Sequence, residues 1–559
     1  MLRGFACAAI FVGSVLAQQT GATSATAAPG FQISGTVVDV VSNQPISGAR
    51  VAISPVTQRD AFTTAVTGDD GRFLFPGLSI GKYTLTAQRR GYITQSFNQH
   101  GQYASSIAVG PDLGSTNLVF AIAPESAISG TVTDENGDAV RDAQVTLFQS
   151  SNGEGTVRTS RLSFAMTDDE GRYHFSHRQP GKYFIAVFAT PWYAQRPQTR
   201  MKATNSDGSV SYFRGSTPVP DNLANAVIDE DPPSPLDVAY PLTFYGGATD
   251  AAGASPIMLG KGERISADIT LQPVPAFHWR VSVADSDQTH GVFVSLEQKV
   301  FDGTPLSIPT SSSPIHDGLW EATGIPPGHY TASVYTGGNA DQAEKQEVVV
   351  GESGVVEKAG VAALPLVAAV SLQPPAQLSG QASLQLRDIK TNQVFAEPVK
   401  GKGDIEFKPG IPRGRYEVSV FSTSDMFIQS VQATGARMTG RTLDVKGAAP
   451  VRLSVVLGQG RGEISGVALR NDKPVAGVMV LLVPADPENN RVLFRRDQSD
   501  SDGTFRISFA APGRYTLLAI ENGWDLEWAN PAVIAKFMAQ GEPLTVESKG
   551  KYSVKVKVQ

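Results

Sequence analysis

The chain has 559 residues, of which 41% are hydrophobic and 18% charged, with 55 glycines and 36 prolines. At about 100–200 residues per domain this length predicts roughly three to five domains, and the apolar content argues against a disordered chain. The 47 Lys and Arg residues are outnumbered by 53 Asp and Glu residues, which gives a net charge of −6. No broad basic surface is therefore available, and nucleic acid is not expected as a partner.

The first residues have the pattern of an export signal. Met1–Arg3 supplies a positive end, Phe5–Leu16 is an apolar run of signal-peptide length, and Ala17 completes a small-residue cleavage site, with Ala25-Thr26-Ala27 as a second choice. We expect a signal peptide at 1–17 followed by a linker at 18–30. The mature protein is then exported to the periplasm, the cell surface or the medium.

The chain offers neither a membrane anchor nor a disulfide. The apolar stretch Val361–Leu372 contains Pro365 and is too short to cross a bilayer, so no transmembrane anchor is predicted. The single cysteine, Cys7, lies inside the expected signal peptide. Each domain of the mature protein must therefore be stabilised by a hydrophobic core of its own.

A repeated pattern organises the rest of the chain. Three segments open with Ile-Ser-Gly, at Ile33, Ile128 and Ile464, and each continues into an alternating strand and a hairpin turn. A Gly-x-Tyr motif that leads into an alternating strand occurs five times. A turn glycine lies ten residues upstream in the first three copies and the last. We expect each tyrosine to bury its ring and to hydrogen-bond its hydroxyl; these are Tyr83, Tyr183, Tyr330, Tyr416 and Tyr515.

Short strands separated by Gly, Pro, Asp and Asn turns, with no helices between them, predict an all-β chain of about five tandem antiparallel sandwiches. In the last unit Asn530 is expected to cap a short helix that begins at Pro531 and packs against its own sandwich. The predicted boundaries are 31–123, 124–273 with a long polar insertion at 190–239, 274–373, 374–459 and 460–559.

The order of these motifs resembles the carboxypeptidase regulatory-like domain, a transthyretin-like sandwich of seven strands related to starch-binding-like and collagen-adhesin B-type modules. The resemblance is close in the first, second and fifth units and weak in the third and fourth, where the opening motif is eroded. It implies an exported bacterial protein built of tandem copies. It does not imply a peptidase, because in metallocarboxypeptidases this sandwich is an accessory to a separate catalytic domain.

No motif predicts catalysis, a metal site or a cofactor. The seven histidines contain no His-Glu-x-x-His, and His174 and His177 are spaced to point to opposite faces of a predicted strand. The acidic turn Ser499–Gly503 resembles part of a calcium loop, but Phe509 stands where the bidentate glutamate would be. We therefore expect the acidic side chains to stabilise the turn itself. A hydrolase, or an accessory to one, is the remote alternative.

Aromatic residues outside the strand pattern are the candidate ligand-binding residues. Sugar-binding sandwiches stack pyranose rings on such side chains, while nearby polar groups bond the hydroxyls. The expected function is a non-catalytic protein that binds carbohydrate through loop aromatics. The alternative is an envelope protein that contacts other proteins or serves as a structural spacer. A spacing of four also allows the last two tryptophans to seat the following helix instead. The candidates are Trp192, Tyr193, Tyr212, Trp524, Asp525, Glu527 and Trp528.

Overall fold

The computed structural model describes residues 30–205, 207–213, 226–282, 292–316, 318–336, 344–351, 354–358, 364–373, 381–399 and 404–559. Over these residues the regular secondary structure is mainly β-strand, with one α-helix, and the strands form five sandwiches in tandem, as predicted. The predicted signal peptide at 1–17 and nearly all of the linker at 18–30 lie outside the described residues.

The first sandwich packs a three-stranded sheet, in the order β4-β1-β8, against a sheet built around β2 and β5. Apolar residues alternate along these strands and meet in one core, as the sequence pattern requires. The strands are β1 (Phe31–Asp39), β2 (Arg50–Pro55), β3 (Thr63–Val66), β4 (Arg72–Leu78), β5 (Gly81–Gln88), β6 (Gln95–Ser96), β7 (Ile107–Val109) and β8 (Leu118–Ile122).

The second sandwich repeats this arrangement and carries the insertion, which folds as a separate three-stranded sheet in the order β15-β14-β16. Its strands are β9 (Ser126–Thr133), β10 (Gln144–Ser151), β11 (Arg158–Met166), β12 (Arg172–Arg178), β13 (Gly181–Phe188), β14 (Thr199–Thr204), β15 (Val210–Phe213), β16 (Val227–Glu230), β17 (Val238–Ala239), β18 (Thr243–Phe244), β19 (Ile257–Leu259), β20 (Arg264–Ser266) and β21 (Ile269–Thr270).

The third sandwich shares its core with the outer face of the second. Three phenylalanines of the second sandwich contact the Phe301 ring of the third: Phe148, Phe184 and Phe244. Their ring centroids are 4.7 to 5.5 Å from that of Phe301. Its strands are β22 (Val274–Pro275), β23 (Phe277–Ser282), β24 (Val292–Val300), β25 (Thr304–Ile308), β26 (Ser311–His316), β27 (Leu319–Ile325), β28 (Gly328–Thr336), β29 (Glu344–Gly351) and β30 (Gly354–Lys358).

The fourth sandwich begins earlier than the predicted boundary after residue 373. Its first strand, β31 (Leu364–Gln373), pairs with β34 and β39, so the apolar stretch that the sequence reading placed in the third unit belongs to the fourth. The sequence pattern did not reveal this strand as the start of a unit because it lacks the Ile-Ser-Gly motif. The others are β32 (Ala382–Asp388), β33 (Val394–Pro398), β34 (Asp404–Ile411), β35 (Gly414–Ser422), β36 (Met426–Thr434), β37 (Arg437–Thr439), β38 (Thr442–Val445) and β39 (Val451–Gln459).

The fifth sandwich carries the helix α1 (Pro531–Met538) against the outer face of one of its two four-stranded sheets, where Ile534 is buried. The Asn530 side chain accepts a hydrogen bond from the Ala532 N–H at 3.1 Å, and Pro531 is the first helical residue, as predicted. The strands are β40 (Gly462–Arg470), β41 (Lys473–Pro474), β42 (Met479–Pro484), β43 (Arg495–Gln498), β44 (Thr504–Ala510), β45 (Gly513–Ile520), β46 (Glu542–Val546) and β47 (Lys551–Lys557).

The Ile-Ser-Gly motif has a geometric reason. In the first, second and fifth sandwiches the opening strand pairs in parallel with the closing strands. The sequence pattern predicted antiparallel pairing and did not indicate these parallel pairs. A Cβ on the motif glycine would overlap a backbone carbonyl of the closing segment; the glycines are Gly35, Gly130 and Gly466. Only glycine permits this approach of two strands.

The Gly-x-Tyr motif has one structure in all five copies. Each tyrosine ring is buried in the core of its sandwich. Each hydroxyl donates a hydrogen bond to the backbone carbonyl four residues earlier, at 2.6 to 3.1 Å. The tyrosine therefore fastens the preceding turn to the core. Upstream, the turn glycines have φ between 70° and 76°, as a tight hairpin turn requires; they are Gly71, Gly171, Gly318 and Gly503.

The array folds back so that the first sandwich contacts the fifth. The Ser105 hydroxyl donates to the Ser499 carbonyl at 2.8 Å, and the Gln498 amide donates to the Asn98 carbonyl at 2.6 Å. The second sandwich also reaches the fifth, through a hydrogen bond from the Ala529 N–H to the Gly155 carbonyl at 2.8 Å. The predicted loop residues of the fifth sandwich consequently lie at a junction between sandwiches.

Candidate functional site

Trp192 projects from the second sandwich on a loop that is fastened beneath it. The indole is 88% exposed, whereas Pro191 before it is buried. Tyr193 donates a hydrogen bond from its hydroxyl to the Glu135 carboxylate, and Tyr240 donates to the other oxygen of the same carboxylate at 3.1 Å. Burial and the hydrogen bond to Glu135 raise the pKa of the Tyr193 hydroxyl. The loop thus presents one large aromatic ring to solvent on a support of three bonded side chains.

Tyr212 lies on the exposed face of the small sheet formed by the insertion. The Arg200 guanidinium is 4.1 Å from the centre of its ring, which is a cation–π contact, and the ring is 50% exposed. Arg200 also bonds the carboxylates of Asp229 and Asp231, at 3.5 and 3.0 Å. Tyr212 therefore stands in a different setting from Trp192 and Tyr193, on another sheet.

Trp524 and Trp528 lie at the junction of the first, second and fifth sandwiches. The His100 ring stacks on Trp524 with centroids 4.8 Å apart and an angle of 7°, and the Trp524 N–H donates to the Gly477 carbonyl at 3.1 Å. The Arg496 guanidinium lies 4.6 Å from the Trp528 ring centre and 5.8 Å from that of Trp524. The two indoles thus contact neighbouring protein, and they pack beside the helix α1.

The acidic loop between these tryptophans is only partly open to solvent. Asp525 is exposed, whereas Glu527 is half-buried and accepts a hydrogen bond from the Asn530 amide at 3.3 Å. The backbone carbonyls of Trp524 and Leu526 accept hydrogen bonds from the amide of Asn152 in the second sandwich, at 3.1 and 3.0 Å. The loop is therefore held between sandwiches and is not a free binding loop.

The acidic turn Ser499–Gly503 joins the first and fifth sandwiches. The Asp502 carboxylate accepts a hydrogen bond from the Thr504 N–H at 3.1 Å, which is the turn chemistry expected from the sequence. The carboxylates of Asp500 and Asp502 also form ion pairs with Lys82 of the first sandwich. Asp500 further accepts a hydrogen bond from the Ser106 N–H at 2.7 Å. We name this contact the Lys82 clasp.

A half-buried histidine between two carboxylates joins the insertion to the third sandwich. His278 faces Asp237 through Nε2 at 2.9 Å and Glu321 through Nδ1 at 3.4 Å, and Glu321 is fully buried. The Thr199 hydroxyl donates to Glu321 at 2.6 Å. Since both ring nitrogens face carboxylates and neither faces a hydroxyl nucleophile, this group lacks the arrangement of a Ser-His-Asp triad.

The charges within this group support one another. The hydrogen bond to Glu321, together with the negative charges of Asp237 and Glu321, raises the pKa of His278 despite its burial. Burial alone would raise the pKa of Glu321, but the hydrogen bonds from His278 and Thr199 outweigh burial and lower it. Both shifts favour the charged forms, imidazolium and carboxylate, and their attraction stabilises the contact between the insertion and the third sandwich.

Sequence reasoning missed this histidine group because its members lie far apart along the chain. It also missed an arginine-lined cleft on the fourth sandwich, for which the alternation Arg413-Gly414-Arg415 was a visible signal. Across the described ranges, no set of three or more His, Cys, Asp or Glu side chains is placed to hold a metal ion. In the same ranges no helix has the length and apolarity needed to cross a membrane.

The repeats at the start of the chain match a known family. The family model of the carboxypeptidase regulatory-like domain matches residues 32–115 and 127–210. The matched segments lie in the first sandwich and in the first part of the second. Together the matched segments make up less than a third of the chain. No curated protein matches the sequence.

The solved structures that match this chain include two pilins and the TIE protein of Bacillus anthracis. The minor pilin GBS52 of Streptococcus agalactiae is 12% identical, with 44% of this chain and 96% of that chain covered and a TM-score of 0.20. The shaft pilin SpaA of Lactobacillus rhamnosus GG is 11% identical, with 44% and 97% covered and a TM-score of 0.18. The Bacillus anthracis TIE protein is 10% identical, with 97% and 76% covered and a TM-score of 0.17.

Proposed function

We propose that this chain is an exported, non-catalytic protein that binds a polysaccharide on the exposed indole of Trp192. The single observation that carries the proposal is a tryptophan with 88% of its surface exposed on a loop fixed by Tyr193, Glu135 and Tyr240. Exposed indoles on rigid loops stack against the apolar faces of sugar rings, and a fixed loop reduces the entropy lost on binding.

Export rests on the sequence pattern at 1–17. A positive end followed by an apolar run and a small-residue cleavage site is typical of a secretory signal. Cell fractionation with an antibody against the fifth sandwich tests this part separately. Recovery of the protein from the cytoplasm alone, at full length, would contradict export and leave the binding test unaffected.

Binding is tested by affinity electrophoresis through gels that contain neutral polysaccharides, followed by calorimetry on any polysaccharide that retards the protein. Trp192→Ala should weaken binding by about tenfold or more, because most of the contact area is on one ring. Phe62→Ala is the matched control, since Phe62 is also an exposed aromatic residue, at 70%. The proposal fails if no polysaccharide binds, or if Trp192→Ala and Phe62→Ala bind equally well.

A contact with another envelope protein is the second candidate. Leu162, Phe164 and Met166 alternate along the edge strand β11 and are 45%, 62% and 50% exposed. An exposed apolar edge strand is a common place for a partner strand to pair. The test is a pull-down from envelope extract with the wild type and Phe164→Glu. The spacer alternative fits less well, because contact between the first and fifth sandwiches shortens the array.

A further inference from the structure

An open cleft of about 640 Å³ lies on the outer face of the fourth sandwich, beside the fifth. Its volume is within the range of typical ligand sites. Three arginines and a lysine line it, with Asn489 of the fifth sandwich on one side; the cations are Arg413, Arg415, Arg437 and Lys446. We name this site the arginine cleft.

The strand register explains why the arginines share one face. Arg415 on β35 and Arg437 on β37 both lie opposite Asp444 on the strand between them, β38. The neighbours of this row, Tyr416 and Leu443, are fully buried in the core, so the row points outward. Two strand spacings separate the arginine backbones, a distance of about 10 Å. The positive charges are therefore spread along a surface and not gathered around one point.

Asp444, the acidic residue that lines the cleft, does not balance the positive charge of the three arginines and the lysine. Asp444 pairs with Lys446 at 3.0 Å. No ion pair of Arg413, Arg415 or Arg437 is found with any residue that the structure describes. The whole chain has a net charge of −6. A local surplus of guanidinium groups on an acidic protein attracts anions to that place in particular.

The first sandwich shows what this position of the repeat can do. Lys82 occupies the middle of its Gly-x-Tyr motif and binds the carboxylates of Asp500 and Asp502. Arg415 occupies the same place in the fourth sandwich and faces the open cleft. Guanidinium groups bind carboxylates and sulfates in bidentate fashion. This position of the repeat therefore binds an acidic segment of the same chain in the first sandwich. In the fourth sandwich it is open to an acidic ligand from outside the chain.

We propose that the arginine cleft binds an acidic polysaccharide. A polymer fits better than a free ion, because the cations are spaced along an open face and repeated anionic groups can meet several of them. This site goes beyond the one proposed at Trp192, since the two share no residue. The shared ligand chemistry is a sugar chain with repeated oxyanions, either carboxylates or sulfates.

The test compares two variants of the full mature chain with the same change of charge. Arg413→Gln/Arg437→Gln removes two cations from the cleft, and Arg59→Gln/Arg90→Gln removes two exposed cations from the first sandwich. Polygalacturonate, dextran sulfate, neutral dextran, double-stranded DNA and polyphosphate are titrated by calorimetry at low salt and again at about 1 M salt, where the screening length is about 3 Å. Circular dichroism checks that both variants are folded.

We expect polygalacturonate or dextran sulfate to bind, the cleft variant to bind about tenfold more weakly or worse, and the control to change by less than about twofold. The polymer that binds identifies the oxyanion. Equal losses in both variants, absence of binding by either polyanion, or tighter binding of double-stranded DNA or polyphosphate would overturn the proposal. Trp192→Ala should leave polyanion binding unchanged, so the failure of one site is distinguishable from the failure of the other.

Discussion

The loops of Trp192 and Trp524 looked alike in sequence and have opposite surroundings in the structure. Both place tryptophan beside polar residues outside the strand pattern. Trp192 lies on the second sandwich and is 88% exposed. Trp524 lies on the fifth sandwich and stacks on His100, which belongs to the first sandwich. The difference shows that a loop of a tandem array is available to a ligand only where no other sandwich covers it.

The largest expected difference is in stability. Trp524→Ala should lower the free energy of unfolding by about 2–3 kcal/mol, because it removes a half-buried ring, its stack on His100 and its bond to Gly477. Trp192→Ala should change it by less than about 0.5 kcal/mol. Urea unfolding followed by circular dichroism measures both. Equal losses would mean that the two loops do not differ in the way described.

Removing the Lys82 clasp tests whether the packing of the first sandwich on Trp524 depends on the ion pairs between the first and fifth sandwiches. Lys82→Met leaves Asp500 and Asp502 without their cation, and we expect a loss of about 1–2 kcal/mol, since Lys82 is itself about one-third exposed. Small-angle X-ray scattering should show a larger radius of gyration. Lys182→Met is the control, because Lys182 holds the same place in the second sandwich, where its ammonium lies over the Phe184 ring and forms no ion pair with a residue that the structure describes. An unchanged radius of gyration would mean that the Lys82 clasp is not what keeps the first and fifth sandwiches in contact.

The sequence predicted the parts that are local. The Gly-x-Tyr and Ile-Ser-Gly motifs encode a turn and a close strand contact within one sandwich, and Asn530 encodes a helix start, so their spacing was sufficient. The stacking of His100 on Trp524 joins residues more than 400 positions apart, and no local pattern records it. The early start of the fourth sandwich was missed for a related reason, because β31 lacks the motif glycine.

The His278 group tests whether the insertion beyond Trp192 is anchored by charge. A raised pKa of His278 stabilises the junction below the ordinary histidine value of 6.5, and this contribution is lost as the pH rises through the folded value. The lowered pKa of Glu321 contributes above the ordinary value of 4.5 and is lost as the pH falls through its folded value. The junction should therefore be most stable between about pH 4.5 and 6.5.

Thermal melts between pH 5 and 9 measure this window. The wild type should melt at a lower temperature as the pH rises above 6.5 and through the raised pKa of folded His278, and His278→Gln should lose that part of the slope. His177→Gln is the control, because His177 also pairs with an acid, Glu125, but on an exposed surface. If His177→Gln removes the slope and His278→Gln does not, the insertion is not held by the ion pairs of His278.

The smallest effect concerns the support of Trp192. Tyr193→Phe keeps the ring and removes the hydrogen bond to Glu135, so we expect a loss of stability of about 1 kcal/mol or less. Polysaccharide affinity should fall only a few-fold, because the indole is still present but less fixed. Tyr212→Phe is the matched control on the other sheet. A loss as large as that of Trp192→Ala would make Tyr193 itself a contact, and no loss would show that the loop needs no fastening to present its tryptophan.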